Sequence, residues 1–150
     1  MLVITNEAGE RFGVTRDPAG RVVEAIGFDG RRRRFVRDAA GREIETRSPS
    51  GRTRKSQYDA AGRLLDLRHT DGSFAHFGYD LLGRLCSVEN EHARVELTHD
   101  ADGLVCVERI DGHEVRSSHD WAGERIELAT SLGTRMLISR DSLGRPQRLY

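Results

Sequence analysis

The sequence is poor in nearly every feature that marks a familiar functional class. Its 150 residues include two cysteines, three prolines and one tryptophan, and aromatic residues make up 6%. Two cysteines cannot make the disulfide framework of a small secreted domain. Cys86 and Cys106 fall at equivalent places in successive repeats, which puts them two strands or about 9–10 Å apart on a sheet. That is beyond the roughly 7 Å a disulfide tolerates. We expect two free, buried thiols that pack as small apolar groups. None of the six histidines (His69, His76, His92, His99, His113, His119) sits in an HExxH motif or a Cys/His zinc spacing. There is no glycine-rich phosphate loop and no Gly-x-Ser-x-Gly elbow. The reading is therefore a non-enzymatic chain with no catalytic, cofactor or metal residues.

Net charge is also missing. The 24 Lys and Arg balance 24 Asp and Glu, so no long-range field drives binding to nucleic acid or membrane. Arg31–Arg34 is the most basic run. On a strand its side chains alternate between faces, which leaves two on each side among acidic neighbours rather than a nucleic-acid platform. No apolar stretch approaches the roughly 20 residues of a membrane helix. The opening MLVITNEAGERF lacks the basic head and apolar stretch of a signal peptide. The expected location is the cytoplasm, or export by a specialised secretion system that needs no cleaved signal. Apolar residues are 37% of the chain, below what a two-sided core usually draws on.

What the chain does have is glycine, 16 of them, spread at a fixed interval. YDAAGR at 58–63 returns as YDLLGR at 79–84. The unit Asp-x-x-Gly occurs at Asp17–Gly20, Asp38–Gly41, Asp59–Gly62, Asp80–Gly83, Asp100–Gly103, Asp120–Gly123 and Asp141–Gly144. Successive aspartates are 21, 21, 21, 20, 20 and 21 residues apart. Arg follows the glycine at Arg21, Arg42, Arg63, Arg84 and Arg145, with Leu104 and Glu124 in the other two units. A second turn signal lies midway, as at Asp29-Gly30, Ser50-Gly51, Asp71-Gly72, Asp111-Gly112 and Leu132-Gly133. Two turns per period, with strand-length stretches between them, describe one β-hairpin after another.

The stretches alternate with period two. Three and five places after the turn glycine stand residues such as Val23 and Ala25 or Leu65 and Leu67. Five and three places before the aspartate stand Phe12 and Val14 or Ala75 and Phe77. Between them lie polar residues such as Glu24, Glu45, Asp66 and Glu127, all four places after the glycine. This recurrence points to ion-pair ladders with Arg rather than to a tuned acid and base. Pairing Leu67 with Ala75 leaves the three-residue loop Thr70-Asp71-Gly72, whereas the two 20-residue units have the two-residue loops Glu91-His92 and Asp111-Gly112. The length difference thus falls in turns and leaves the faces in phase. In each Asp-x-x-Gly turn the aspartate accepts backbone N–H bonds and the glycine takes positive φ. One carboxylate per turn is too few for calcium. Trp121, in the turn DWAG, is expected to pack on the neighbouring turn.

These phased units, with Tyr58, Arg63, Tyr79 and Arg84 as the repeat signature, resemble the YD repeats of the RHS family. The resemblance runs from Leu2 to Tyr150. Arg16, Arg37, His99, His119 and Arg140 stand where the tyrosine would be. It implies an all-β fold, an antiparallel meander of about seven consecutive hairpins in a curled single-layer sheet. In RHS and Tc-type toxins such a sheet spirals into a shell around a toxic C-terminal segment, and in teneurins it forms a large barrel. The DPxGL-type signature of a self-cleaving protease segment does not occur here, and RDPAGR at 16–21 is an ordinary repeat turn. Two functions follow: a segment of shell wall that encloses or holds a toxin-like polypeptide, or a standalone module that docks on a protein or carbohydrate through an open edge or the apolar face. The implied partners are a second copy, a larger RHS-type protein or an enclosed segment, with no cofactor and no nucleic acid. The chain is treated as a single repeat domain over 1–150, with unpaired strands at both ends and self-association expected.

Overall fold

Two turn signals in every period leave no room for anything but short strands, and short strands are what form. The computed structural model describes residues 2–141 and 144–149, the last two for their backbone alone. Residues 142, 143 and 150 of the seventh repeat lie outside the described residues. The strands are β1 (Leu2–Thr5), β2 (Arg11–Arg16), β3 (Val22–Ile26), β4 (Arg32–Arg37), β5 (Glu43–Arg47), β6 (Thr53–Tyr58), β7 (Leu64–His69), β8 (Phe74–Tyr79), β9 (Leu85–Asn90), β10 (Arg94–His99), β11 (Val105–Ile110), β12 (His113–His119), β13 (Arg125–Thr130), β14 (Arg135–Arg140) and β15 (Pro146–Leu149). They are hydrogen-bonded in chain order, an all-β antiparallel meander.

The chain divides into two compact units, Met1–Ala75 and His76–Tyr150. The first holds β1 to β7 and the second β9 to β15, with β8 spanning the divide. Within each unit every strand touches only its chain neighbours, so each is a single layer. Among the described residues only Gly13, Val14 (9% exposed) and Ser56 (7%) are buried, and no side chain is fully enclosed. Val14 and Ser56 both stand three places before a turn aspartate. Most strand residues are half-buried on both faces. The two cysteines follow suit: both are free and half-buried rather than buried, because a single layer offers nothing to cover them.

The loops follow the expected lengths. His69 N donates to Ser73 O at 2.9 Å and closes the three-residue loop over Thr70-Asp71-Gly72. Asn90 N donates to Ala93 O at 3.0 Å around the two-residue loop Glu91-His92. Ile110 pairs with His113, and φ is 48° at Asp111 and 88° at Gly112, as a type I′ turn requires.

The Asp-x-x-Gly hairpins hold a feature that the alternation alone conceals. Asp17 N donates to Arg21 O and Gly20 N to Asp17 O, both at 2.9 Å, closing a three-residue loop. A regular ladder continued from there would set Val14 opposite Glu24. Instead Arg16 pairs with Val22, Thr15 with Glu24 and Val14 with Ala25. Val23 is an extra residue, a β-bulge. The same one-residue shift occurs at Ile44, Leu65, Cys106, Ile126 and Gln147. Each is the third residue after its turn glycine. The bulge brings apolar residues opposite one another, as in Val14 with Ala25, and sends the acids to the other face.

That other face carries a row of ion pairs. Glu24 accepts from Arg34 at 2.8 Å, Glu45 from Arg47 at 2.5 Å, Asp66 from Arg68 at 3.1 Å and Glu127 from Arg135 at 2.6 Å. Of the four consecutive arginines, Arg32 and Arg34 both approach Glu24, Arg31 approaches Asp29 at 3.5 Å, and Arg33 projects on the opposite face, across from Ala25. Exposed pairs of this kind contribute about 0–1 kcal/mol each. Their regularity fixes register more than it adds stability.

Candidate functional site

Two features recur in every unit and belong to the sheet as a whole rather than to one hairpin: the row of Asp-x-x-Gly turns and the apolar face. The turn begins with a geometric demand. Closing three residues and entering a bulged strand needs positive φ at the last loop position, and the seven turn glycines have φ from 78° to 87°. A residue with a Cβ is disfavoured there. The aspartate then holds the loop. In the first turn Asp17 Oδ1 accepts from Ala19 N and Arg21 N, both at 2.9 Å, and Oδ2 accepts from Arg21 Nε at 2.7 Å. The carboxylate–guanidinium clamp recurs between Asp38 and Arg42, Asp59 and Arg63, Asp80 and Arg84, and Asp141 and Arg145, at 2.6–2.7 Å. Asp100 and Asp120, followed by Leu104 and Glu124, keep the backbone half of the clamp at 2.9 Å and lose the guanidinium half.

These contacts set the electrostatics. The hydrogen bond from the Arg21 backbone holds the Asp17 carboxyl below its usual range, with the guanidinium adding to it. The Arg63 backbone does the same for Asp59. At Asp80 the Arg84 side chain leads and its backbone N–H follows. At Asp38 burial pushes upward, and the Arg42 side-chain and backbone bonds outweigh it to leave the carboxyl lowered. All four carry their charge at neutral pH. They are committed acceptors, unsuited to giving or taking a proton.

Neighbouring turns are tied by the same arginines. Arg42 Nη1 donates to Asp59 O of the next turn at 2.8 Å, and its guanidinium lies over the Tyr58 ring, 5.1 Å from the centroid. Arg84 Nη1 reaches Asp100 O at 3.2 Å. Where the arginine becomes Leu104, an apolar tip leans toward Gly123 instead, 3.6 Å from where a Cβ would stand. The tyrosine place also reaches backward. Tyr58 Oη donates to Glu43 O of the preceding hairpin at 2.9 Å. Arg140, in the same place, reaches the matching carbonyl of Arg125 at 3.2 Å. Arg and Tyr substitute there because each extends a donor over the same distance. His119 in that place is shorter and leaves Nδ1 buried without a partner.

Not every expected contact forms. Trp121 is 98% exposed and packs on no neighbouring turn, and Leu81 and Leu82 of the turn at 80–83 are exposed too. The next Asp-x-x-Gly turn lies two strands away, about 9–10 Å, and the Trp121 side chain stands in solvent. The bulge and the turn-to-turn arginine bonds were absent from the sequence reading. Parity signals the bulge: a three-residue loop pairs residues whose numbers sum to an even value, whereas pairing Val14 with Ala25 needs an odd one. No sequence signal announces the arginine bonds beyond the recurrence of Arg itself. Among the described residues no three His, Cys, Asp or Glu side chains converge as a metal site would need.

A single-layer wall of tandem bulged hairpins, spined by clamped turns, defines a class of structural β-repeat protein. Residues 37–73 and 58–95 match the family model described as RHS Repeat, which supports the RHS/YD-repeat family for the chain. No curated protein matches the sequence. Among solved structures, the crystal structure of TcdB2-TccC3-Cdc42 aligns with a TM-score of 0.78 at 14% identity, over 93% of this chain and 9% of that one. The Photorhabdus luminescens Tc holotoxin pore, with a TccC3 variant, aligns with a TM-score of 0.77 at 15% identity, again over 93% and 9%. At such identity these neighbours share the fold. The chain spans less than a tenth of their length.

Proposed function

We propose that this chain is a non-enzymatic wall segment of an RHS-type shell, whose work is to enclose or hold a toxin-like polypeptide. One observation carries the reading: each unit is a sheet one layer thick, with an apolar face on which, among the described residues, no second layer of the same unit packs. A globular domain covers such a face with a second layer. A wall leaves it for a guest. The fold shared with Tc toxin proteins supports the reading, as does the family. On this view the mechanism is exclusion: a polypeptide lying on the face is shielded from solvent and from its own folding. The work is done in the cytoplasm or after export without a cleaved signal.

A second reading rests on its own observation. Leu2, Val3 and Ile4 of β1 are all exposed, β1 pairs with β2 among the described residues, and the strand carries no charge or proline to discourage pairing. A module that docks through this edge onto a larger RHS-type protein or a second copy would use it. The two readings separate in one experiment. The purified chain is mixed with a reduced, unfolded reporter protein and examined by sedimentation and limited trypsin digestion. A wall segment associates and slows cleavage of the reporter. Co-sedimentation with itself, but no effect on the reporter, favours edge docking. A persistent monomer that leaves the reporter unprotected refutes both.

A further inference from the structure

The zero net charge of the chain conceals a division. Residues 1–75 contain 15 Lys and Arg against 11 Asp and Glu, and residues 76–150 contain 9 against 13. The first unit is thus net +4 and the second net −4 by formal charge. In the first unit the excess reaches the apolar face. Two open grooves of about 530 and 460 Å³ adjoin there and share Arg33, Phe35 and Ser48. Aromatic rings bound the first groove: Phe12 and Phe35 line it, and Phe12 packs against Phe28 with the rings tilted by 45° and their centroids 5.8 Å apart.

The cations around these grooves are not equivalent. Arg31 approaches Asp29 at 3.5 Å, Arg52 is bonded to Asp71 at 2.5 Å, and Arg54 is bonded to Glu43. Arg33 alone among the groove-lining guanidinium groups has no partner among the described residues. Its neighbour across the ladder is Ala25, which cannot offer one. The corresponding places in the second unit hold Val95, Val115 and Met136, so the free guanidinium is a property of the first unit.

We infer that the apolar face of the first unit binds an extended polypeptide segment that sets an Asp or Glu carboxylate on Arg33 and apolar side chains on Phe12 and Phe35. This deepens the holding function and rests on it. A guanidinium fork matches a carboxylate with two parallel hydrogen bonds, and the rings beside it exclude water and strengthen the pair. The chemistry disfavours nucleic acid. A phosphate chain needs a row of free cations, whereas here three of four are already neutralised and the carboxylates of Asp29 and Glu43 line the same grooves.

The test uses the full chain and fluorescence anisotropy. The probes are a labelled Val/Ser-alternating peptide with a central Phe-Ser-Glu, which sets Phe and Glu on the valine face, its Phe-Ser-Gln counterpart, and oligodeoxythymidine. A hydrogen-bonded charge pair predicts that the Glu peptide binds about tenfold tighter than the Gln peptide. Arg33→Gln removes that difference. Arg34→Gln, on the opposite face and paired with Glu24, keeps it, and circular dichroism checks that both variants retain the sheet. Equal affinity for the two peptides, or no effect of Arg33→Gln, overturns the carboxylate site while leaving the holding function standing. Failure of both peptides to bind overturns the site and the holding function together. Oligodeoxythymidine displacing the Glu peptide, with a steep salt dependence, assigns the face to nucleic acid and overturns the proposal.

Discussion

Replacing Gly62 by alanine isolates the backbone demand of the repeat. Gly62 has φ of 86°, and an added Cβ meets nothing within 4 Å. No clash, cavity or lost side-chain contact enters, so the cost is that of holding an L-residue in the left-handed region, about 1–2 kcal/mol. For a chain of this length each kcal/mol moves the unfolding midpoint by about 2–4 °C, so Gly62→Ala is expected to lower it by about 2–8 °C. Gly41 provides the comparison. Its φ is 85°, and a Cβ there stands 2.9 Å from Arg21 Nη1. Since that atom ends a flexible side chain, Gly41→Ala adds only the displacement of a half-buried arginine tip, about 0–1 kcal/mol. Thermal and urea unfolding followed by circular dichroism measure both. Gly62→Asn, which tolerates this conformation better, falls between wild type and alanine. A Gly62→Ala chain as stable as wild type, or a Gly41→Ala chain more stable than Gly62→Ala, refutes the reasoning.

Four further outcomes follow from the same geometry. Tyr58→Phe removes the hydrogen bond to Glu43 O and costs about 0.5–1.5 kcal/mol in urea unfolding, whereas Tyr58→Arg restores a donor and recovers much of it, as Arg140 does in its own unit. Acid weakens the sheet in a defined direction. Asp17, Asp59 and Asp80 have lowered carboxyl pKa values in the folded chain, so their contribution is complete above the unfolded-state value near 3.8 and is lost as pH falls through the folded values; a midpoint flat from pH 7 to 5 and falling below 4 shows it, and Asp80→Asn makes the acid limb shallower. Deleting Leu65 removes the bulge residue yet leaves Tyr58 opposite Leu64 and Gln57 opposite Asp66; we expect a loss within the roughly 0.5–3 kcal/mol of an ordinary substitution, and a larger loss on deleting Leu67, which reverses the faces beyond it. Trp121, fully exposed in its turn, is expected to emit as in water and to be quenched freely by acrylamide in the folded chain.

The fold was legible because its signals are local and repeated. Asp59, Gly62 and the alternation from Leu65 to Leu67 each state one hairpin, and the period states the rest. Loop lengths were legible too, since register on a one-sided sheet has two answers and Asp111-Gly112 permits one. What stayed hidden depends on three dimensions at once. The bulge at Val23 shows only when loop closure and cross-strand pairing are required together. The reach of Arg42 to Asp59 depends on the spacing of hairpins, and so does the exposure of Trp121. The candidate site was the least legible part. Arg33 is one letter in a run of four arginines. Its isolation becomes visible once Arg32 and Arg34 are seen sharing Glu24 on the other face.

The extra residue after six of the Asp-x-x-Gly turns has a consequence for lineage. It restores the inside-outside assignment within each of those copies, so none of these hairpin pairs depends on correction from another. Whole copies can then be duplicated or dropped by recombination without turning the remaining surface inside out, and copies of 20 or 21 letters are interchangeable because the difference is absorbed at a bend. A gene built this way can change the length of its sheet in discrete steps of one hairpin pair.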